Sequence, residues 1–504
     1  MPELEAVGVV KRFGGLVAND HVDLSVERGE IHGVMGENGA GKTTLMSILF
    51  GLQTSDAGEI RIRGVPVRFR SPLDAMAAGM GMVHQSFKLF AALKVWENIV
   101  YGAEPRRGPF INERLARASV AKLAERHRLA VDPDAVVGEL SVGVRQRVEI
   151  LKALYRDARI LILDEPTAVL TPPERDALFS VLRSLAAEGR SVVLVTHKLH
   201  EVMAVTDRVT VLRDGRTVAR MGTTDATPRD IIRAVTGRNV SLRVDKARSP
   251  PGEPLLRVTD LFVAGASGKS AVDRVSFSVR SGEIVGVAGV AGNGQSELVA
   301  ALSGLCAPDA GRVEVCGASV TDKDVAARRA AGLAYIPEDR ASVGTALAAS
   351  AADNLAMGFH RAPPLARGPF IDPAAFAERA RELIRRFAIR IPSERVNVGT
   401  LSGGNLQKIV VTRELSHEAP VLIAEQPTRG LDMGATESIH RQLLAARGKG
   451  QAVLLISAEL SEILALSDRV LVMFEGRVLA ELLEGEADEE TVGLLMAGRP
   501  REAA

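Results

Sequence analysis

Lys42 and Thr43 stand directly after Gly41, and Gly36 lies five positions before Gly41, giving the spacing Gly36-x-x-x-x-Gly41-Lys42-Thr43. That pattern fits the chemistry of a polyphosphate. Glycines let consecutive backbone N–H groups turn inward on a β-phosphate, and a helix starting there adds the positive end of its dipole. Lys42 is placed to reach the β- and γ-phosphates, and the Thr43 hydroxyl to ligate Mg²⁺. Glu37, Asn38, Gly39, Ala40 and Thr44 complete the candidate cradle. The plainer alternative, a glycine turn joining a strand to a helix, does not need the lysine and threonine in register. A second set follows at Asp164-Glu165 in RILILDEPT: Asp164 can hold Mg²⁺ through water, and Glu165 can take a proton from an attacking water. Adjacent acids are often mere solvated charges, but these follow the cradle by one domain's length of chain. His197 closes SVVLVTH and would point at the same γ-phosphate, although a single histidine is commonly structural.

These residues require particular elements to position them. Ile31–Met35 has the pattern of a short buried strand, and 43–50 carries apolar residues at helical spacing. Four apolar residues before Asp164 make a central parallel strand, and in open α/β sheets ligands bind at the carboxyl ends of strands. Gln85 closes another strand, MGMVHQ; a strand-end glutamine is ordinarily a turn residue. The stretch 87–102 reads as a loop and 112–129 as an amphipathic helix with Asn112 as its N-cap. LSVGVRQRVEILKAL at Leu140 is a small-residue turn opening a helix. Phe13, in VKRFGG, suits either a ring stacked on a base or a core position.

The chain has 504 residues, too many for a single core, with 46% hydrophobic and 25% charged residues. A net charge of +1 gives no basic surplus aimed at nucleic acid or an anionic membrane. Apolar runs stop short of the roughly 18 residues of a membrane span. The start, MPELEAVGVV, lacks a signal peptide's basic region, and Cys306 and Cys316 are too few for a disulfide framework or metal cluster; a cytosolic protein is expected. The chain also contains itself twice. GEIHGVMGENGAGKTTL from Gly29 returns as GEIVGVAGVAGNGQSEL from Gly282, RGPFI at Arg107 returns at Arg367, and ILILDEPTAVL at Ile160 returns as VLIAEQPTRGL at Val421. The offset grows from 253 residues at Gly36/Gly289 to 261 at Glu165/Gln426, with the extra residues mostly between Glu338 and Gly368 in a helical insert. Two α/β domains are expected, 1–242 and 255–504, joined by a polar, proline-rich linker at 243–254.

GENGAGKTT, Gln85, LSGGN-Q at Leu401–Gln407, ILDEPT and the His197 strand together resemble the ATPase of an ABC transporter. The resemblance runs over both halves, from Leu4 to about Val492. VHQSF, IPEDR and QPTRGLD within a fused tandem look like the simple-sugar and nucleoside importers, the nucleoside-type branch most of all. It implies two tandem P-loop NTPase domains, each with a mixed α/β core and a helical insert, that hydrolyse ATP with Mg²⁺. Gln85 joins Glu165 and His197 as a candidate catalytic residue, and joins Thr43 and Asp164 as a candidate metal ligand. The resemblance also implies two membrane permease subunits, a substrate-binding protein and a place at the cytoplasmic face of the inner membrane. No nucleic acid is expected. The rival is a soluble tandem ATPase acting on ribosomes or DNA, which usually carries two intact sites and a long charged linker or metal-binding cysteines.

In the second copy every catalytic part is altered. Lys42 corresponds to Gln295, Gln85 to Glu338, Asp164 to Glu425, Glu165 to Gln426, His197 to Ala458 and Phe13 to Ala266. Gln426 cannot act as a carboxylate base, and Ala458 offers no hydrogen bond. Gly289, Gly292, Gly294 and Ser296 remain, so this pocket is expected to bind nucleotide weakly or passively and not to hydrolyse it. The signature turns are reversed: copy two has Ser402, Gly403 and Gly404, while copy one has Ser141, Val142 and Gly143. In the head-to-tail pairing implied by the resemblance, Ser402, Gly403 and Gly404 complete the intact pocket, and the LSVG turn faces the broken one. All the damage then gathers in one composite site, unless Val142 is a harmless packing change. GASGKS at 265–270 imitates the cradle, but Val263 stands where its first glycine belongs, so Lys269 reads as a solvated loop charge.

Overall fold

The computed structural model describes residues 1–37, 39–84, 87–167, 170–237, 246, 250–265, 270–290, 292–361, 363–368, 370–387, 389–431, 433–496 and 498. Asn38, Gln85, Ala266, Lys269 and half of the expected linker lie outside them. The chain divides into two compact units, 1–240 and 241–504.

The first unit is organised by a six-stranded sheet in the order Arg216–Gly222, Arg208–Arg213, Ile31–Met35, Ser191–Thr196, Ile160–Asp164, Met80–Val83. Every neighbour pair is parallel except the first two strands, which form an antiparallel hairpin. The three central strands are buried along their whole length, which explains why they read as unbroken apolar runs rather than alternating patterns. Register aligns Val195 with both Val34 and Asp164, so these strands end at a common level. A four-stranded antiparallel sheet, ordered Leu16–Val26, Leu4–Phe13, Ala57–Ile62, Val65–Val67, shares one core with the face of the large sheet that carries the Lys42–Leu49 helix. The other face is covered by the helices Val142–Tyr155 and Pro172–Ala187.

Local chemistry fixes the helix starts. Thr171 and Glu174 form a capping box ahead of Pro172. The Asn112 side chain accepts from the Leu115 N–H and starts the helix Glu113–Arg126. The stretch 87–102 differs from expectation because a helix, Val95–Val100, forms within it. Six residues are too few to show helical periodicity, and this helix is stabilised by burial in the core of the insert. Asn98 on it braces the preceding loop, accepting from the Phe90 N–H (2.8 Å) and donating to the Phe90 carbonyl (3.1 Å).

The second unit repeats the plan: Leu333–Ile336, Val421–Glu425, Ala452–Ile456, Ile284–Ala288, Arg469–Phe474 and Arg477–Leu483 form its large sheet. Its small sheet is Ser270–Arg280, Pro254–Ala264, Ala310–Val315 and Ala318–Ser319, so Pro254 belongs to a strand rather than to a linker. Asn354 repeats the brace of Asn98, bonding both polar groups of Ala346. The residues extra to this copy lie in irregular turns on either side of the helix Ala351–Ala356. Among the described residues no helix is long and apolar enough to cross a membrane.

Candidate active site

The turn after Ile31–Met35 admits little but glycine at two places. A Cβ on Gly36 would stand 2.3 Å from the Leu212 carbonyl oxygen, and one on Gly41 would stand 2.4 Å from that of Ala18. Gly41 also sits at φ +93°, a left-handed conformation that costs a residue with a Cβ. The chain then enters the helix at Lys42, with Ala40 buried, Thr43 exposed and Thr44 half-buried on its first turn. Lys42 is 6% exposed, and its ammonium donates to the carbonyls of Gly36 (2.6 Å) and Glu37 (3.0 Å). Burial lowers its pKa, against the opposing pull of Glu165, Asp164 and Glu37.

Three strand ends bring the remaining groups together. Asp164 is the last residue of its strand; burial first, and the Glu165 charge second, push its pKa up to about 6, against Lys42. Glu165 turns out of the strand at φ +47° while its N–H still donates to the Val195 carbonyl at 2.9 Å. Its carboxylate Oε1 lies 2.8 Å from His197 Nδ1. Burial would raise the Glu165 pKa, but the His197 hydrogen bond and the charges of His197, Lys42 and Lys198 outweigh it, so the group stays below its ordinary value. His197 itself lies one residue beyond the strand, which ends at Thr196. Glu201, fully buried, was not visible as a site residue in the sequence. It accepts from the hydroxyls of Thr196 (2.7 Å) and Thr167 and thereby ties the turn after Glu165 to the turn before His197.

Lys42, Asp164, Glu165 and His197 are thus gathered in the first unit. Phe13 is 45% exposed with the Lys11 ammonium 5.5 Å from its ring centroid, which removes the core alternative. Among the described residues no group of three or more His, Cys, Asp or Glu side chains could hold a metal ion. Thr43 and Asp164 nevertheless suit Mg²⁺, an ion that commonly takes one or two protein oxygens and completes its shell with phosphates and water.

The corresponding turn of the second unit keeps its shape and changes its chemistry. Gly292 and Gly294 take φ +90° and +99°, against +83° and +93° for Gly39 and Gly41. Gln295 donates to the Val290 carbonyl at 3.2 Å, where Lys42 reaches two carbonyls. Gln426 reproduces φ +47° and its N–H donates to the Ile456 carbonyl at 2.7 Å. Contrary to expectation, Ala458 does provide a hydrogen bond. Its backbone N–H donates to Gln426 Oε1 at 3.0 Å, so the side chain missing from the His197 position is replaced by the peptide itself. Ser402, Gly403 and Gly404 open the helix Gly403–Leu415, with the Ser402 hydroxyl accepting from Asn405. Ser141 makes no such cap in the first unit, and Val142 is half-buried.

The fold and the two turns define a tandem nucleoside-triphosphate-binding protein of the P-loop class, with one complete set of acidic, basic and imidazole groups. The chain belongs to the ABC transporter family, whose profile matches residues 19–168 and 272–429, and within that family to its ATP-hydrolysing component. It is 44% identical to a glucose import ATP-binding protein of Haloferax volcanii, over 99% of this chain and 96% of that protein. It is 43% identical to a nucleoside import ATP-binding protein of Lactococcus lactis, over 98% of each. In structure it is similar to the archaeal ribosome recycling factor aABCE1, solved with the ribosomal stalk protein aP1. That similarity has a TM-score of 0.63 at 22% identity, covers 94% of this chain and 90% of the other, and carries the fold alone.

Proposed function

We propose that this chain drives import of a nucleoside or simple sugar by hydrolysing ATP in the pocket of its first unit, bound at the cytoplasmic face of the membrane to two permease subunits. The observation that carries this is the convergence of Lys42, Asp164, Glu165 and His197 on the Gly36–Thr43 turn, in a chain that aligns end to end with import ATP-binding proteins. In this reading the Gly36–Thr44 cradle and Lys42 bind the phosphates, and Phe13 stacks on the base. Thr43, Asp164 and Gln85 would hold Mg²⁺, which neutralises phosphate charge when bound. Glu165, kept as a carboxylate beside His197, accepts the proton of the attacking water, and His197 Nδ1 fixes the direction of that carboxylate. We further propose that the two units pair head to tail, so that Ser402, Gly403 and Gly404 give donors to the charge developing on the γ-phosphate. A substrate-binding protein would deliver the cargo. The ribosomal alternative is supported by no feature beyond the shared fold.

The test is assembly and transport. The chain is co-expressed with its neighbouring permease genes and purified from membranes, and the complex is reconstituted in vesicles supplied with labelled nucleosides or sugars. Co-purification with permeases and ATP-dependent uptake are expected. A chain that leaves the membrane and sediments with ribosomes overturns the proposal.

A further inference from the structure

In the second unit two carboxylates, Glu338 and Glu425, stand by position where the first unit has Gln85 and Asp164. Added negative charge would suit a divalent cation, yet both groups already have partners on this chain. The Arg429 guanidinium forms an ion pair with Glu338. The Tyr335 hydroxyl donates to Glu425 Oε2 at 2.6 Å, and the Glu338 N–H approaches the same oxygen at 3.3 Å. Strand register puts Tyr335 opposite Ile423 as Met82 stands opposite Ile162, so the first unit has a thioether where the second has this donor. Among the described residues no hydrogen bond reaches the Asp164 carboxylate, whose nearest charges are Glu165 and Lys42. In the second unit the lysine is Gln295, and the cation paired with Glu338 is borne by the protein, on Arg429. Arg340 adds a further tie, donating to the Arg429 carbonyl at 3.0 Å, so the turn after Leu333–Ile336 is bound to the turn after Val421–Glu425 by two arginine side chains, beside the Tyr335–Glu425 bond between the strands themselves.

Mg²⁺ therefore fits the first pocket and not the second. A metal drawn here competes at Glu425 Oε2 with the short hydrogen bond from Tyr335 and at Glu338 with the Arg429 guanidinium. The glycine cradle beside it keeps its shape, and backbone N–H groups bind phosphate without a metal. We infer that the second unit takes its nucleotide as a metal-free polyphosphate, with Tyr335 as the positioning residue that closes Glu425 to Mg²⁺. The inference rests on the reading that the Gly289–Ser296 turn binds nucleotide at all.

The experiment photolabels the full-length chain with 8-azido-ATP in Mg²⁺ or in EDTA and maps the labelled peptides to each unit. Peptides of the first unit should lose about tenfold or more of their label in EDTA, while those of the second change less than about twofold. Tyr335→Phe should give the second unit a Mg²⁺ dependence of about tenfold. Glu425→Gln, which removes the closed carboxylate, should leave its labelling metal-independent. Wild-type labelling of the second unit that falls in EDTA as the first does, no label there at all, or a Y335F chain whose folded state is intact and whose second unit stays indifferent to Mg²⁺ each overturn the inference. The wild-type comparison stands even if Y335F does not fold. A chain that labels as expected but never assembles with permeases refutes the transport reading alone, and Mg²⁺-dependent labelling of both units in an assembled transporter refutes only this one.

Discussion

Replacing Glu165 by Gln tests the proposed chemistry with little disturbance of the fold, because the protein already carries the product of that exchange. Gln426 occupies the equivalent turn at the same φ of +47°, with the same N–H bond back to the neighbouring strand. The backbone of a Glu165→Gln chain should therefore hold, and stability should change by no more than about 1 kcal/mol, the scale of one altered hydrogen bond to His197. What disappears is the base. A positioned general base contributes about 10²–10⁴-fold, so the barrier should rise by about 3–5 kcal/mol. Nucleotide affinity should hold or improve, since the substitution removes a negative charge that Lys42 senses beside the phosphate cradle. ATP turnover and equilibrium nucleotide binding measured on one preparation give the answer. Turnover near that of the parent removes Glu165 from the mechanism, and loss of binding shows the residue to be structural. The complementary change, Gln426→Glu, should restore nothing in the E165Q chain, because the partner there is the Ala458 peptide N–H and not an imidazole.

Three further outcomes follow from the same geometry. Gly41→Ala puts a Cβ against the Ala18 carbonyl at φ +93°, so thermal melting should show a loss of at least about 1–3 kcal/mol together with weakened ATP binding. His197→Ala should lower turnover by about 10²-fold; by removing the largest influence that holds the Glu165 pKa down, it should also move the acid limb of the pH–rate profile to higher pH. Asp164 has a folded pKa near 6 against 3.8, so the native state binds the extra proton; stability from this group is full below about pH 4 and lost as pH rises through 6. Asp164→Asn should accordingly stabilise the nucleotide-free chain in EDTA above pH 6 by at most about 3 kcal/mol, read as a higher melting temperature, and leave it unchanged near pH 4.

The parts of the site that could be seen in the sequence are those carried by contiguous runs. Ile31–Met35 and Ile160–Asp164 are fully buried parallel strands, so their apolar letters run together and point at the residues closing them. The duplication made each altered residue visible against its counterpart. Glu201 and Tyr335 escaped because their meaning depends on strand register and on partners 34 and 90 residues away. The Val95–Val100 helix was too short to show a period. Ala458 was misjudged because a side-chain comparison ignores the peptide N–H, which every residue but proline retains.

The shared left-handed turn at Glu165 and Gln426 separates backbone shape from side-chain chemistry in this molecule. Backbone and strand impose the bend whichever side chain sits there, so a pocket can be silenced by exchanging one oxygen for an amide nitrogen, without rebuilding anything around it. A symmetric ancestor could thus become one-sided in single steps, each leaving a well-folded chain. The altered half would keep the scaffold of the other.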